Sequence, residues 1–165
     1  MRVKRLLLGD RRSVAGTVYG TIIVLSVLAA GAKPYKHDLW RLAVLAGVSA
    51  IVLWVAHVYS HGLGESLRIG RRLTATELVS VARREYAIVL AAIPPVAAVT
   101  LGATGVLAPR TAVWLALGIG VLALTAQGLR YARLERLSLT GTVVTVTVNV
   151  LIGVTIVIAE VVIAH

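Results

Sequence analysis

The sequence predicts an all-α polytopic membrane protein, a single membrane domain over residues 1–165 built as a bundle of five transmembrane helices. Two observations predict this fold class. The chain is 58% hydrophobic with a mean hydropathy of +0.90, which is more apolar than soluble domains of this size. In addition, five stretches without Asp, Glu, Lys or Arg have about the 20 residues that a helix needs to cross a bilayer. They are residues 13–32, 42–64, 86–109, 111–129 and 137–159.

The basic residues predict an orientation with the N-terminus inside and the C-terminus outside. With five spans, 13 of the 17 Lys and Arg residues would lie inside: five in the N-terminal tail, five between the second and third spans, and three between the fourth and fifth. Cytoplasmic loops of membrane proteins carry such an excess. The net charge of +10 is therefore a topology signal beside the headgroups of the lipid bilayer, and no nucleic-acid partner is expected.

The amino-acid usage indicates a bacterial protein. Arg outnumbers Lys by 14 to 3, which is typical of GC-rich genomes, and the chain has no Cys, so it can form no disulfide or thiolate metal site. The expected location is the inner (plasma) membrane of a bacterium, as a multi-pass protein. Residues 30–32 resemble a signal-peptide cleavage site, but the preceding apolar run is longer than a signal peptide requires.

The first span is predicted over about residues 13–32. Gly16 and Gly20 lie four residues apart, a spacing that lets another helix approach closely in lipid. Tyr19 lies between them and places a hydroxyl group inside the apolar segment, where it needs a hydrogen-bond partner. Tyr19 is therefore a candidate functional residue.

The second span is predicted over about residues 39–61. Pro34 ends the preceding helix, Asp38 can cap the new one, and Trp40 is suited to the membrane interface. Small, aromatic and imidazole side chains recur at steps of three and four along this span and so share one helical face. These residues are Trp40, Ala43, Gly47, Ala50, Trp54, His57 and His61. The shared face is expected to contact protein or a water-filled path.

The rest of the chain is predicted to hold a cytoplasmic section and three more spans. The cytoplasmic section covers residues 62–85, and the spans cover about residues 86–108, 111–130 and 138–163. Thr74 and Glu77 make a capping box at the start of a short cytoplasmic helix. Pro94 and Pro95 are expected to kink the third span. Asn149 lies near mid-depth in the fifth span and should face the bundle, where it can find a partner.

His57, His61 and Glu65 are the candidate metal ligands. Their spacing of four places them on one face of a continuous helix, and imidazole and carboxylate groups are ligands for divalent transition metals. A divalent metal ion is thus the one cofactor suggested. Two alternatives stay open: the histidines sense pH, or they are interfacial groups and Glu65 pairs with Arg68 or Arg72.

Other chemistry has less support in the sequence. Glu160 and His165 form a weaker second pair near the outer face. The motifs of zinc proteases, serine hydrolases and P-loop proteins are absent from the sequence, and we do not expect an enzyme. A lipid-acting enzyme with His57 or His61 as base and Ser60 as nucleophile is the alternative.

Two short motifs resemble the vacuolar iron transporter family. Gly16 to Gly20 (GTVYG) lies where that family has Gly-Ala-Asn-Asp-Gly, and Ala56 to Ser60 (AHVYS) lies where it has Gly-Glu-Tyr-Val-Ser. The resemblance covers nearly the whole chain and implies five spans, a dimer and a path for divalent iron along the first two spans. Tyr19 and His57 stand at the positions of the carboxylates that carry iron in that family.

The expected function is that of a small transporter-like membrane protein. It would move a divalent cation or another small solute along the first, second and fifth spans, and it would form a homodimer through its small-residue faces. The alternative is a non-transporting scaffold or accessory subunit of a larger membrane complex. A transporter should expose Tyr19, His57, His61 and Asn149 in a hydrated cavity, whereas a scaffold should bury them in a dry bundle.

Overall fold

The computed structural model describes residues 11–163, which form six helices and contain no strand. The helices are α1 (Arg11–Ala32), α2 (Leu39–Ile69), α3 (Ala75–Glu85), α4 (Ala87–Ala103), α5 (Pro109–Leu134) and α6 (Leu139–Ile163). The predicted basic tail, with Arg2, Lys4 and Arg5, and also His165, lie outside the described residues. The pair predicted between Glu160 and His165 therefore lies outside the described part of the chain.

The chain is a multi-pass helical membrane protein. Four helices, α1, α2, α5 and α6, are each long and apolar enough to cross a bilayer. Helix α4 has only 17 residues, but together with α3 it makes a fifth candidate span that bends by 41° at Tyr86. The described residues thus hold four or five candidate spans, and the predicted fold class is confirmed at this level.

Helix α1 is the central helix of the bundle, since it contacts each of the other five. Half of its apolar segment is buried inside the protein, whereas almost none of the corresponding segment of α6 is. Val24, Leu25 and Leu28 are fully buried and form the core together with residues of α2, α4 and α5. Helix α6 packs against α1 and α5 and leaves most of its Val and Ile side chains exposed, as suits a helix that faces lipid.

Glycines allow α1 to approach its neighbours closely, as predicted for the first span. A Cβ atom added at Gly20 would lie only 2.7 Å from the carbonyl oxygen of Ile88 in α4. The same addition at Gly120 in α5 would overlap the Leu25 side chain of α1. Small residues at such contacts bring helices close enough for dispersion forces to hold them together in lipid.

Helix α2 is longer than the predicted second span. It has 31 residues and continues through Gly62 and Gly64 to Ile69, eight residues past the predicted end. Glycine lowers helix propensity by only about 1 kcal/mol, and here Gly62 is buried where α3 packs on α2. The helix ends at Gly70, whose φ of +69° is the left-handed conformation that favours glycine as a helix stop.

The remaining helices follow the predicted order, with one change. Helix α4 ends at Ala103 instead of near residue 108, because Gly105 takes a left-handed conformation and the chain turns before Pro109 starts α5. Pro94 and Pro95 are both inside α4, which continues as one helix through them. The bend in this part of the chain lies at Tyr86, between α3 and α4.

Candidate functional site

An open cavity of about 720 Å³ lies where α1, α2 and α3 meet. Most of the polar residues that the sequence singled out contribute to it. Its walls are formed by Ala15, Gly16, Tyr19, His57, His61, Glu65, Leu73, Glu77, Ser80, Val81, Arg84 and Glu85. The cavity combines imidazole, phenol, hydroxyl, carboxylate and guanidinium groups beside two helices that can span a membrane.

Three aromatic rings form a row along one side of the cavity. The ring of Tyr19 on α1 is 4.8 Å from the ring of His57 on α2, measured between centroids, with 45° between their planes. The ring of His61, one turn further along α2, is 5.8 Å from that of His57. The helical spacing of four places both histidines on the same face of α2, and the row leads from the apolar part of α1 to the polar end of α2.

The two histidines have different polar neighbours. Nδ1 of His57 lies 3.2 Å from the carbonyl oxygen of Leu53. A carbonyl only accepts, so we assign the proton of neutral His57 to Nδ1, which leaves Nε2 with a lone pair. Nδ1 of His61 instead lies 3.2 Å from Oε1 of Glu85. The Glu85 side chain is 17% exposed and that of His61 is 59% exposed, so this contact between α2 and the end of α3 joins a shielded carboxylate to a solvent-exposed imidazole.

Helix α3 is held against α2 by a hydrogen bond and by side-chain packing. The indole Nε1 of Trp54 donates a hydrogen bond of 3.0 Å to the carbonyl oxygen of Ala82. Leu78 packs at Gly62, where an added Cβ atom would lie 3.3 Å from the Leu78 side chain. These contacts keep Glu85 beside His61.

The start of α3 is fixed by the predicted capping box. Thr74 accepts a hydrogen bond from the backbone of Glu77, and the Glu77 carboxylate accepts one from the backbone of Thr74. Arg71 donates two further bonds to that carboxylate, of 2.8 and 3.0 Å. The Arg71 bonds and then the Thr74 bonds lower the pKa of Glu77 from 4.5 to about 2, because each favours the charged form.

Glu65 does not join the two histidines in the way that the metal-ligand hypothesis requires. It lines the cavity, but its carboxylate accepts two hydrogen bonds from Arg68, with Nε at 2.9 Å. This pairing is the alternative that the sequence left open. Along the described part of the chain, no three His, Cys, Asp or Glu side chains are grouped closely enough to hold a metal ion. Glu85 is the carboxylate that lies at hydrogen-bond distance from His61.

Asn149 lies away from the cavity. Its Nδ2 donates a hydrogen bond of 3.0 Å to the carbonyl oxygen of Thr145, one turn earlier on α6. The side chain packs at Gly128 of α5, where an added Cβ atom would lie 3.1 Å from Nδ2. Asn149 thus faces the bundle and has a partner, as predicted, but none of the side chains described for α6 lines the cavity.

Sequence reasoning missed the contribution of α3 to this site. Glu77, Val81 and Glu85 are spaced by four and share one face of α3, which faces the cavity. The spacing of these three residues was visible in the sequence. The sequence did not show which side of α2 the helix α3 packs against, because that depends on the turn at Gly70 and on the Trp54 hydrogen bond.

Comparison with models of protein families, with curated proteins and with solved structures found no match for this chain. Its description therefore rests on its own residues: a multi-pass helical membrane protein with a polar cavity at one end of α1 and α2.

Proposed function

We propose that the protein is a transporter of small cations in the inner membrane of a bacterium, with five spans, the N-terminus inside and the C-terminus outside. The excess of basic residues on the predicted inner side supports this orientation. Helix α4 would be the third span, with α3 on the cytoplasmic side before the bend at Tyr86. The cavity then opens toward the cytoplasm. Its row of Tyr19, His57 and His61, with Glu85 beside it, is the observation that carries the proposal.

The chemistry of the cavity suits a cation as cargo. Glu85 supplies a carboxylate that is mostly shielded from water, where its attraction for a positive charge is stronger than at the surface. Neutral imidazole nitrogens bind divalent transition metals, and the assigned tautomer of His57 leaves Nε2 able to accept. A divalent ion that displaced the contact between His61 and Glu85 would gain two ligands from side chains that already lie together.

The transport test uses purified protein in liposomes that contain a metal-sensitive dye. We expect entry of Fe²⁺, Mn²⁺ or Co²⁺ to exceed that into empty liposomes. His57→Ala and His61→Ala should each slow entry roughly tenfold, which corresponds to the loss of about 1.4 kcal/mol. His37→Ala is the matched control, since His37 is exposed in the linker before α2 and lies outside the cavity. Entry no faster than into empty liposomes, or equal in all variants, would exclude the proposal.

The resemblance to the vacuolar iron transporter family decides which ion to test first. That family would imply divalent iron as cargo and a dimer, with carboxylates at the positions of Tyr19 and His57. In this chain the carboxylate comes from α3 through Glu85, and imidazoles come from α2. We therefore propose Fe²⁺ as the first ion to test. Imidazole nitrogen is a softer ligand than oxygen, so we expect the site to prefer divalent ions of the first-row transition metals to Mg²⁺.

A membrane scaffold or accessory subunit is the second candidate function. Gly47 and Gly118 favour it, because a Cβ atom at either position would meet nothing within 4 Å. The packing of this chain does not require glycine there, whereas a close contact with another membrane helix would. The partner would be a second copy or a different protein. If Gly47→Leu and Gly118→Leu leave the mass of the purified assembly unchanged, this candidate loses its support.

A further inference from the structure

The end of α2 that lies far from the cavity carries a separate open hollow of about 570 Å³. Its rim is polar and aromatic and is formed by Tyr35, Asp38 and Arg41, with Trp40 beside them. The rest of its lining is apolar and consists of Val44, Leu45 and Val48, whose side chains are partly exposed. Trp40 is 54% exposed although it begins a membrane-spanning helix, so it has no place in the protein core.

Polarity in this hollow changes along a single face of α2. Arg41, Val44 and Val48 follow each other at steps of three and four and therefore lie in one row. The seven steps from Arg41 to Val48 cover about 10 Å along the helix axis. A charged group followed over this distance by an apolar surface matches a phospholipid, which has a phosphate at the membrane surface and acyl chains below it.

The rim carries two opposite charges side by side. Oδ2 of Asp38 lies 3.5 Å from Nε of Arg41, and the Arg41 and Asp38 side chains are 76% and 49% exposed. Asp38 also caps α2 through the backbone of Arg41. A headgroup with both a phosphate and an ammonium complements this pair, because Arg41 can bind the phosphate and Asp38 the ammonium. A headgroup with negative charge alone would place its phosphate next to Asp38 without compensation.

We propose that this hollow binds a zwitterionic phospholipid with a primary amine, of the phosphatidylethanolamine class. The phosphate contacts Arg41, the ammonium donates to Asp38, and one acyl chain lies over Val44 and Val48. Trp40 lies at the level of the headgroup, where its ring and its N–H are both accommodated. The site is independent of the cavity near His57, and it does not depend on the direction in which the chain crosses the membrane.

The experiment is native mass spectrometry of delipidated protein in detergent, titrated with phosphatidylethanolamine, phosphatidylcholine or phosphatidylglycerol of identical acyl chains. We expect phosphatidylethanolamine to bind about tenfold more tightly than the other two lipids. Arg41→Gln should weaken the binding of phosphatidylethanolamine about tenfold. Asp38→Asn should abolish the preference over phosphatidylcholine and leave α2 capped, because Asn caps helices as well as Asp does.

Arg110→Gln is the matched control, since Arg110 is an exposed arginine at the start of another membrane helix and lies outside the hollow. It should leave lipid binding unchanged, and melting temperatures without lipid verify that each variant is folded. Equal affinity for the three lipids would overturn the proposal. So would equal effects of Arg41→Gln and Arg110→Gln, or binding of free phosphoethanolamine as tight as that of the lipid.

Discussion

His57 and His61 lie one turn apart on α2, yet the protein gives them different neighbours. His57 bonds to the backbone of its own helix and lies against the Tyr19 ring. His61 reaches a carboxylate on another element, Glu85. Glu65 has the spacing that a ligand from the same helix needs, but it bonds to Arg68. The carboxylate beside His61 is therefore remote in sequence, 24 positions further along the chain.

The role of Glu85 is tested by Glu85→Gln, which keeps the side-chain shape and removes the charge. We expect the affinity for divalent cations, measured by isothermal titration calorimetry, to fall roughly tenfold, because the proposed site would lose the least exposed of its three carboxylates. Glu135→Gln is the control, as Glu135 lies at the turn after α5 and outside the cavity. Equal cation affinity in the protein and in Glu85→Gln would remove Glu85 from the proposed site.

At the scale of the helices, close packing of α1 depends on positions without a side chain. Gly20→Ala places a methyl group 2.7 Å from the Ile88 carbonyl oxygen, so α1 and α4 must separate. We expect this change to lower the free energy of unfolding by about 1–3 kcal/mol, the usual cost of overpacking. The measurement is the unfolding midpoint in mixed micelles.

Gly64→Ala serves as the control for that prediction. An added Cβ atom at Gly64 meets nothing within 4 Å, although Gly64 also lies inside a helix. Alanine there should leave stability unchanged or raise it by up to about 1 kcal/mol through helix propensity. If both variants unfold at the same midpoint, the contact between α1 and α4 is not as close as described.

Docking of α3 on α2 should depend on pH through Glu77. The pKa of Glu77 is lowered from 4.5 to about 2, first by Arg71 and then by Thr74. A lowered pKa in the folded state means that the stabilisation is complete above pH 4.5 and is lost as the pH falls through 2. We expect α3 to loosen over this interval, which Trp54 fluorescence reports in a Trp40→Phe, Trp114→Phe background, since Trp54 donates to Ala82.

Glu77→Gln supplies the comparison for the pH experiment. The variant keeps an amide oxygen that can accept from the Thr74 backbone but has no charge to titrate or to pair with Arg71. Its Trp54 signal should lack the transition between pH 4.5 and 2. A transition of the same midpoint and size in the variant would assign the change to other groups.

At the scale of the whole molecule, the sequence predicted the features that depend on composition and on short spacing. The apolar stretches located the helices, the linker residues located Asp38 as a cap, and the capping box at Thr74 was confirmed. The sequence did not fix the number of spans. Helix α4 is short, and it passes the length test for a span only when it is counted together with α3.

The polar cavity could be predicted only in part, because short spacings can be read from the sequence and contacts between distant segments cannot. Tyr19 and His57 were identified by their polarity inside apolar segments, and the structure brings their rings together. Glu85 lies in the section predicted to be cytoplasmic, where charged residues are common and a single glutamate does not stand out as a site residue. Its partner is set by the way in which α3 folds back on α2, and that is a long-range property. Asn149 differs from Glu85, since its hydrogen bond is local and goes to Thr145 on the same helix.

The length of α2 has a mechanical consequence. Its 31 residues extend about 46 Å, well beyond the roughly 30 Å of a hydrocarbon core, so a rigid arm projects from the bilayer. The tip at Ile69 lies 12 residues, or about 18 Å, from His57 on the same continuous helix. A displacement of the tip would therefore be carried along the helix to the imidazole, three residues from Trp54, whose hydrogen bond to Ala82 ties α2 to α3.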